Sequence, residues 1–194
     1  VVTSPDAETS GGRGARERIL RTAARLFYEE GIHATGIARL TKAAHVSTRT
    51  FYQHFPSKNA LVEEYLRRFE TEEALPPEQQ LDRTDLGPAE RLLAIFCTGP
   101  QTSVVRGCPF HNAAVEAAGE MPQAAEVVER HKKNFLRRLT ETASEAGARD
   151  PERLARHLAV VYEGGRALAT SCNDLRAVED ARQVAEALLQ EQLR

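Results

Sequence analysis

Apolar residues in this chain recur at helical spacing almost from end to end. Ile19, Leu20, Ala23, Ala24, Leu26 and Phe27 fall on one face at i, i+3/i+4 and i+7/i+8, with no comparable alternating run, so the pattern predicts helices and no sheet. A first helix is expected over about Ala15–Glu30, ended by Gly31 as a C-cap glycine. Thr35 then offers a hydroxyl to the free N–H groups of a short helix from about Gly36 to Ala44. Ser47 caps a third helix, about Thr48–Phe55, which Pro56 terminates. Ser57 caps a fourth, running to about Glu73 with Leu61, Tyr65, Leu66 and Phe69 inward. Caps at Thr35, Ser47 and Ser57 mark a compact helical module.

Further along, Leu75–Gly87 holds Pro76 and Pro77 among polar residues and reads as a linker. Helices follow near Pro88–Thr98, Gly107–Gly119, Pro122–Ala146, Pro151–Asn173 and Val178–Leu193, with Gly147 and Asp150-Pro151 as breaks. The fold expected is all-α, about nine helices.

At 194 residues, 41% hydrophobic and 28% charged, the chain has the composition of a globular protein. No apolar run approaches the roughly 20 residues of a membrane span. Val1–Gly14 lacks a signal peptide's apolar core and reads as a disordered arm. Cys97, Cys108 and Cys172 are odd in number and widely spaced, which points to a reducing cytoplasm. The charge is segregated: Gly11–Arg68 carries 11 Lys/Arg against 5 Asp/Glu, whereas Phe69–Arg194 carries 15 against 21. Such a division suggests a polyanion partner for the first third alone. The plain alternative is a solvated face rich in arginine.

The stretch Ile37–Phe55 has the form of helix, turn and helix, with Ile37, Leu40, Val46 and Phe51 spaced to pack the two together. In such a unit the second helix enters the DNA major groove. Thr48, Arg49, Thr50 and Gln53 would lie on its first turns, where side chains reach base edges, and Arg49 is suited to guanine. Ser47, Tyr52 and His54 lie beside them at helical spacing. Lys58 opens the next helix, where an ammonium and free N–H groups both favour a phosphate. Thr35 is a candidate phosphate contact as well as a cap. Arg13 and Arg16 are placed to follow phosphates, although a surface arginine beside a disordered arm usually does not.

At these residues the chain resembles the TetR family of regulators. Helix 1 reads RERILRTAARLFYEEGI, followed by HATGIARLTKAAHVSTRTFYQHFPSKNALVEEYL, so the resemblance covers Arg16–Leu66. Val46-Ser47, Thr50-Phe51-Tyr52 and Phe55-Pro56-Ser57-Lys58 are its most specific part. The resemblance implies a helix-turn-helix head (residues 15–60), DNA contacts by Tyr52 and Lys58, and a ligand-binding and dimerisation body (residues 61–194). It further implies a homodimer paired through its last two helices, a double-stranded DNA operator, a small-molecule effector and repression in the cytoplasm. His45 departs from the family, whose turn usually holds a left-handed glycine, so strain is expected there.

Two readings compete for the stripe Leu154, Leu158, Val161 and Leu168: core of the chain's own fold, or the dimer interface that the resemblance favours. Arg106–Glu116, with Gly107-Cys108-Pro109-Phe110, is similar to the start of the sixth helix in one group of TetR-type regulators, a helix that borders the ligand cavity and joins body to head. Candidate pocket residues are Phe96, Phe110, His111, Met121, Phe135, Tyr162 and Arg166, which mix aromatic bulk with a few polar groups. Bland core is the competing role for each. Gly164-Gly165 falls inside a helix, where close packing or ligand approach must offset the glycine penalty.

Other chemistries find less support. Cys108 and His111 stand three apart, and Cys108 would sit near a helix N-terminus that lowers a thiol pKa, but a zinc site needs further ligands and no metal is assigned. No catalytic fingerprint such as GxSxG, HExxH or Walker A occurs. Glu116, Glu120 and Glu163 have no defined partner. Neither an enzyme nor a cofactor is therefore expected, and the acidic body argues against an architectural DNA protein.

Overall fold

The computed structural model describes residues 12–71, 75–98, 105–116 and 119–193, and among them it is all-α. Helix α1 spans Gly12–Glu29, α2 Ile37–Ala43, α3 Thr48–His54, α4 Lys58–Thr71 and α5 Pro76–Gln79, which continues into a 3-10 turn at Gln80–Asp82. Helix α6 spans Pro88–Ala94, α7 Pro109–Glu116, α8 Pro122–Glu145, α9 Pro151–Cys172 and α10 Arg176–Gln192. Two compact units emerge: one holds the chain up to Arg67 together with Asn112–Val127, the other Arg68–His111 together with Val128 onward. Most of the arm expected at residues 1–14 lies outside the described residues, and Gly12–Gly14 are already in α1.

In the first unit α1, α2 and α3 pack on one another over Ile19, Ala23, Leu26, Leu40 and Phe51, all without solvent exposure. Phe27 meets Tyr65 of α4 edge to face at 5.5 Å. Gly31, at φ +97, leads the chain out of α1 as expected. The role expected of Thr35 is corrected. Gly36 occupies the N-cap of α2 with no side-chain cap, while the buried Thr35 hydroxyl donates backward to Gly31 O at 2.7 Å and Leu26 O at 3.4 Å. Gly31 O lies just past the end of α1, whereas Leu26 O, in its last turn, also accepts from Glu30 N at 2.8 Å. Ser47 caps α3 by accepting from Thr50 N, and Ser57 accepts from Ala60 N at 3.1 Å.

The second unit corrects the linker expected at Leu75–Gly87. Pro76 and Pro77 open α5, because a proline's fixed φ and missing N–H suit a helix's first turn. Leu81 then enters the core, and Glu78 is buried against His131 at 2.9 Å. Helix α6 starts on Pro88, with Glu90 accepting from Gly87 N at 2.8 Å, and ends at Ala94 rather than Thr98. Leu92, Ile95, Phe96, Phe135, Leu139, Leu154, Leu158 and Tyr162 form the heart of the core.

Helices α9 and α10 run antiparallel. Asp150 caps α9 by accepting from Arg153 N at 3.0 Å, and Asn173, left-handed at φ 50, ends it. Gly165 allows the close approach: a Cβ there would stand 2.5 Å from Ala181 Cβ and 3.1 Å from Ala177 O. Packing thus explains one glycine of the pair, while a Cβ on Gly164 meets nothing within 4 Å.

Gly165→Ala is expected to lower stability by about 1–3 kcal/mol despite alanine's better helix propensity, because the obstruction includes backbone. A urea midpoint equal to or above wild type would refute the close packing of α9 on α10.

Candidate nucleic-acid interface

Helix α3 has seven residues and two unlike sides. Phe51 and Phe55, four apart, are buried with their rings 6.0 Å apart, so the intervening residues turn to solvent. Thr48, Arg49 and Gln53 are exposed, Thr50 and His54 are half-buried, and Tyr52 is 51% exposed. The Tyr52 ring rests edge-on against Phe51 at 5.3 Å, which holds the phenol in place while half of the residue stays exposed. Ser47 and Thr50 exchange a hydroxyl hydrogen bond at 2.8 Å, so both side chains help define the start of α3.

Of the sequence residues assigned to DNA, Ser47, Thr48, Arg49, Tyr52 and Gln53 are exposed and Thr50, His54 and Lys58 half-buried, whereas the Thr35 hydroxyl is turned into the interior. No phosphate can reach it. Lys58 stands at the start of α4 and donates to His33 O at 3.5 Å. Partial burial lowers its pKa from the usual lysine value, opposed by the Glu116 carboxylate. Arg16 donates to Glu64 at 2.6 Å and lies over the Phe55 ring at 5.3 Å, so it clamps α1, α3 and α4 rather than extending toward a ligand.

His33 and Glu116 are the residues that sequence reasoning missed. Glu116 accepts from His33 N at 2.8 Å, and its carbonyl contacts His33 Nε2. The chain Glu116, His33, Lys58 thus ties the end of α7 to the candidate phosphate lysine. These groups are 83 and 25 residues apart in pairs, so no local motif announces them.

The pocket candidates divide. Met121 belongs to the first unit, where it is buried. In the second, Phe96 and Phe135 flank the Tyr162 ring at 5.9 and 5.2 Å, and Arg166 lies over that ring at 5.4 Å. Phe110 stacks on His131 at 3.5 Å, 6° from parallel. His111 is exposed and takes no part in this interior. The lowered thiol expected at Cys108 is also corrected: burial pushes it above its usual value, against the pull of the Lys132 ammonium. Among the described residues no group of three or more His, Cys, Asp or Glu is placed to hold a metal, and no helix is long and apolar enough to cross a membrane.

A helix-turn-helix head carried by an otherwise helical chain is the architecture of a DNA-binding regulator. Residues 19–65 match the family model for bacterial regulatory proteins of the tetR family. Over 69 residues the chain is 42% identical to the HTH-type transcriptional repressor KstR2 of Rhodococcus jostii, a match covering 35% of this chain and 34% of that one. It is 28% identical over 101 residues to the HTH-type transcriptional repressor DhaR of a Mycobacterium species, covering 51% of it. The chain therefore spans about a third to a half of the length of these curated relatives. The crystal structure of a TetR-family transcriptional regulator from Streptomyces coelicolor superposes with a TM-score of 0.82 at 29% identity, covering 100% of this chain and 98% of the other. The head thus matches the tetR family of regulators, and the whole chain shares the fold of a TetR-family transcriptional regulator.

His45 occupies the turn in the left-handed region at φ 53, where the family pattern has glycine. That conformation costs an L-residue about 1–2 kcal/mol, part of which a glycine's greater unfolded-state entropy cancels. His45→Gly is expected to leave stability unchanged or raise it by up to about 1 kcal/mol, and His45→Val to lower it by more than that. Chemical denaturation of the two variants checks the order, and a more stable valine variant would refute strain at this turn.

Proposed function

We propose that the chain is a homodimeric transcriptional repressor whose head, residues 15–60, reads a DNA operator and whose body, residues 61–194, dimerises and responds to a small-molecule effector. The observation that carries this reading is the outward face of α3, where Thr48, Arg49, Tyr52 and Gln53 stand clear while Phe51 and Phe55 fix the helix from within. Base edges are read by Thr48, Arg49, Thr50 and Gln53; Tyr52, His54 and Lys58 meet the backbone. Ser47 contributes by setting the start of α3. The curated relatives are named repressors, which favours repression over activation. The site of action is the cytoplasm, where a bacterial operator lies.

Two copies are required because one seven-residue recognition helix reads too few bases, whereas a two-fold pair reads two half-sites about a helical turn apart. Helix α9 divides the stripe left open by the sequence. Leu154 and Leu158 are core, but Leu168 is 54% exposed and aligns with Val160, 72% exposed, and with Gly164 at four-residue spacing. Val184 of α10 is also exposed. This apolar surface supports pairing through α9 and α10. Effector binding then shifts the population from DNA-binding to released dimers.

Fluorescence anisotropy on DNA flanking the protein's own gene, across a salt series, tests the head. Binding is expected to weaken with salt, to saturate at two chains or a multiple per site, and to fall by about tenfold or more in the Tyr52→Ala, Lys58→Ala variant. Equal binding by wild type and variant would sink the assignment of α3 and α4 as the DNA reader. For the dimer, Leu168→Glu should convert the protein to monomers by light scattering and abolish the two-chain complex. A variant that stays dimeric would refute the α9 surface.

A further inference from the structure

Among the described residues the body contains a half-buried guanidinium without a counter-ion. Arg166 forms no ion pair among the described residues, its Nε is buried without a hydrogen bond, and so is the hydroxyl of Tyr162, a side chain only 2% exposed. The two groups adjoin, since Arg166 lies over the Tyr162 ring at 5.4 Å. The acids nearby are committed elsewhere: Glu163 holds Lys132, and Glu78 holds His131 at 2.9 Å. Arg166 is half-buried, but a buried N–H or hydroxyl with no hydrogen bond is costly, and both its Nε and the Tyr162 hydroxyl are in that state. Both groups can donate, and the guanidinium can only donate.

The complement of two donors and one uncompensated positive charge is a singly charged acceptor. Carboxylate fits this in charge and in planarity. A doubly charged phosphate fits worse, because Tyr162 already feels the negative fields of Glu78 and Glu163. Phe96 and Phe135, at 5.9 and 5.2 Å from the Tyr162 ring, make the surroundings apolar and call for an apolar remainder on the same molecule.

We propose that Arg166 and Tyr162 bind the carboxylate of a small, otherwise apolar monocarboxylic acid, which is the effector class of this protein. The proposal rests on the effector-responsive reading above and adds the chemistry of the ligand.

Calorimetry of the full chain without DNA, titrated with phenylacetate and octanoate beside phenylacetamide and octanamide, tests it. At least one acid is expected to bind one per chain, and its amide about tenfold or more weakly. Arg166→Gln should lose about tenfold or more for the acid while leaving the amide unchanged, and Arg166→Lys should recover part of the loss. Tyr162→Phe keeps the ring and should weaken the acid several-fold, so it decides the matter if circular dichroism finds Arg166→Gln unfolded. Neither acid binding up to millimolar concentration, equal affinity for acid and amide, or full acid affinity in folded variants would each overturn the proposal. Acid binding in a protein that ignores operator DNA would retain the site and remove the regulator reading instead.

Discussion

The burial of Phe51 fixes what the head presents to its surroundings. A helix of seven residues is too short to persist alone, so its orientation comes from packing and capping rather than from helix propensity. Phe51, with no exposed surface, fills the space between α1 and α2, and Phe55 follows one turn later under the Arg16 guanidinium. Once these two rings are placed, helical geometry dictates that Thr48, Arg49, Tyr52 and Gln53 point away. Ser47 sets the axial position by accepting from Thr50 N, and the left-handed His45 sets the angle at which the chain arrives. The outer face follows from the inner one.

This dependence explains why the head was legible in the sequence. Its signals are local: a cap three residues before the N–H it serves, an aromatic pair four apart, a glycine after the last turn of α1. Thr35 was misjudged because a threonine between two helices can serve either one, and residue order does not say whether its hydroxyl turns forward to donors or back to acceptors. Pro76-Pro77 was misjudged for a related reason, since a proline pair marks a linker and a helix start equally well. Only the burial of Leu81 and Glu78 separates the two.

Polar pairs across the fold were not legible at all. Glu116 with His33, Glu163 with Lys132 and Glu78 with His131 join residues 83, 31 and 53 apart, and a helical carboxylate looks the same in sequence whether it meets water or a buried cation. Yet these pairs determine what the neighbouring groups can do. Phe110, stacked flat on His131, covers the buried pair with Glu78 and withdraws both from ligand chemistry. Tyr162 and Arg166 differ from these pairs: each keeps a buried donor without a hydrogen bond, and unlike Arg91, which also has an unbonded Nε but pairs with Glu145, Arg166 has no carboxylate partner among the described residues.

Helix α9 shows how one element can serve several ends without conflict. One side turns Leu158, Tyr162 and Gly165 toward the core and α10, and the other turns Val160, Gly164 and Leu168 outward. Two adjacent glycines weaken a helix by about 1 kcal/mol each relative to alanine, so each needs a compensating contact. Gly165 finds one in Ala181 and the Ala177 carbonyl. Gly164 finds none among the described residues, and it lies midway along an exposed apolar stripe. A missing side chain flanked by exposed Val160 and Leu168 is what close approach by a second copy of the helix would use, and such an approach would offset the cost of Gly164 as α10 offsets that of Gly165.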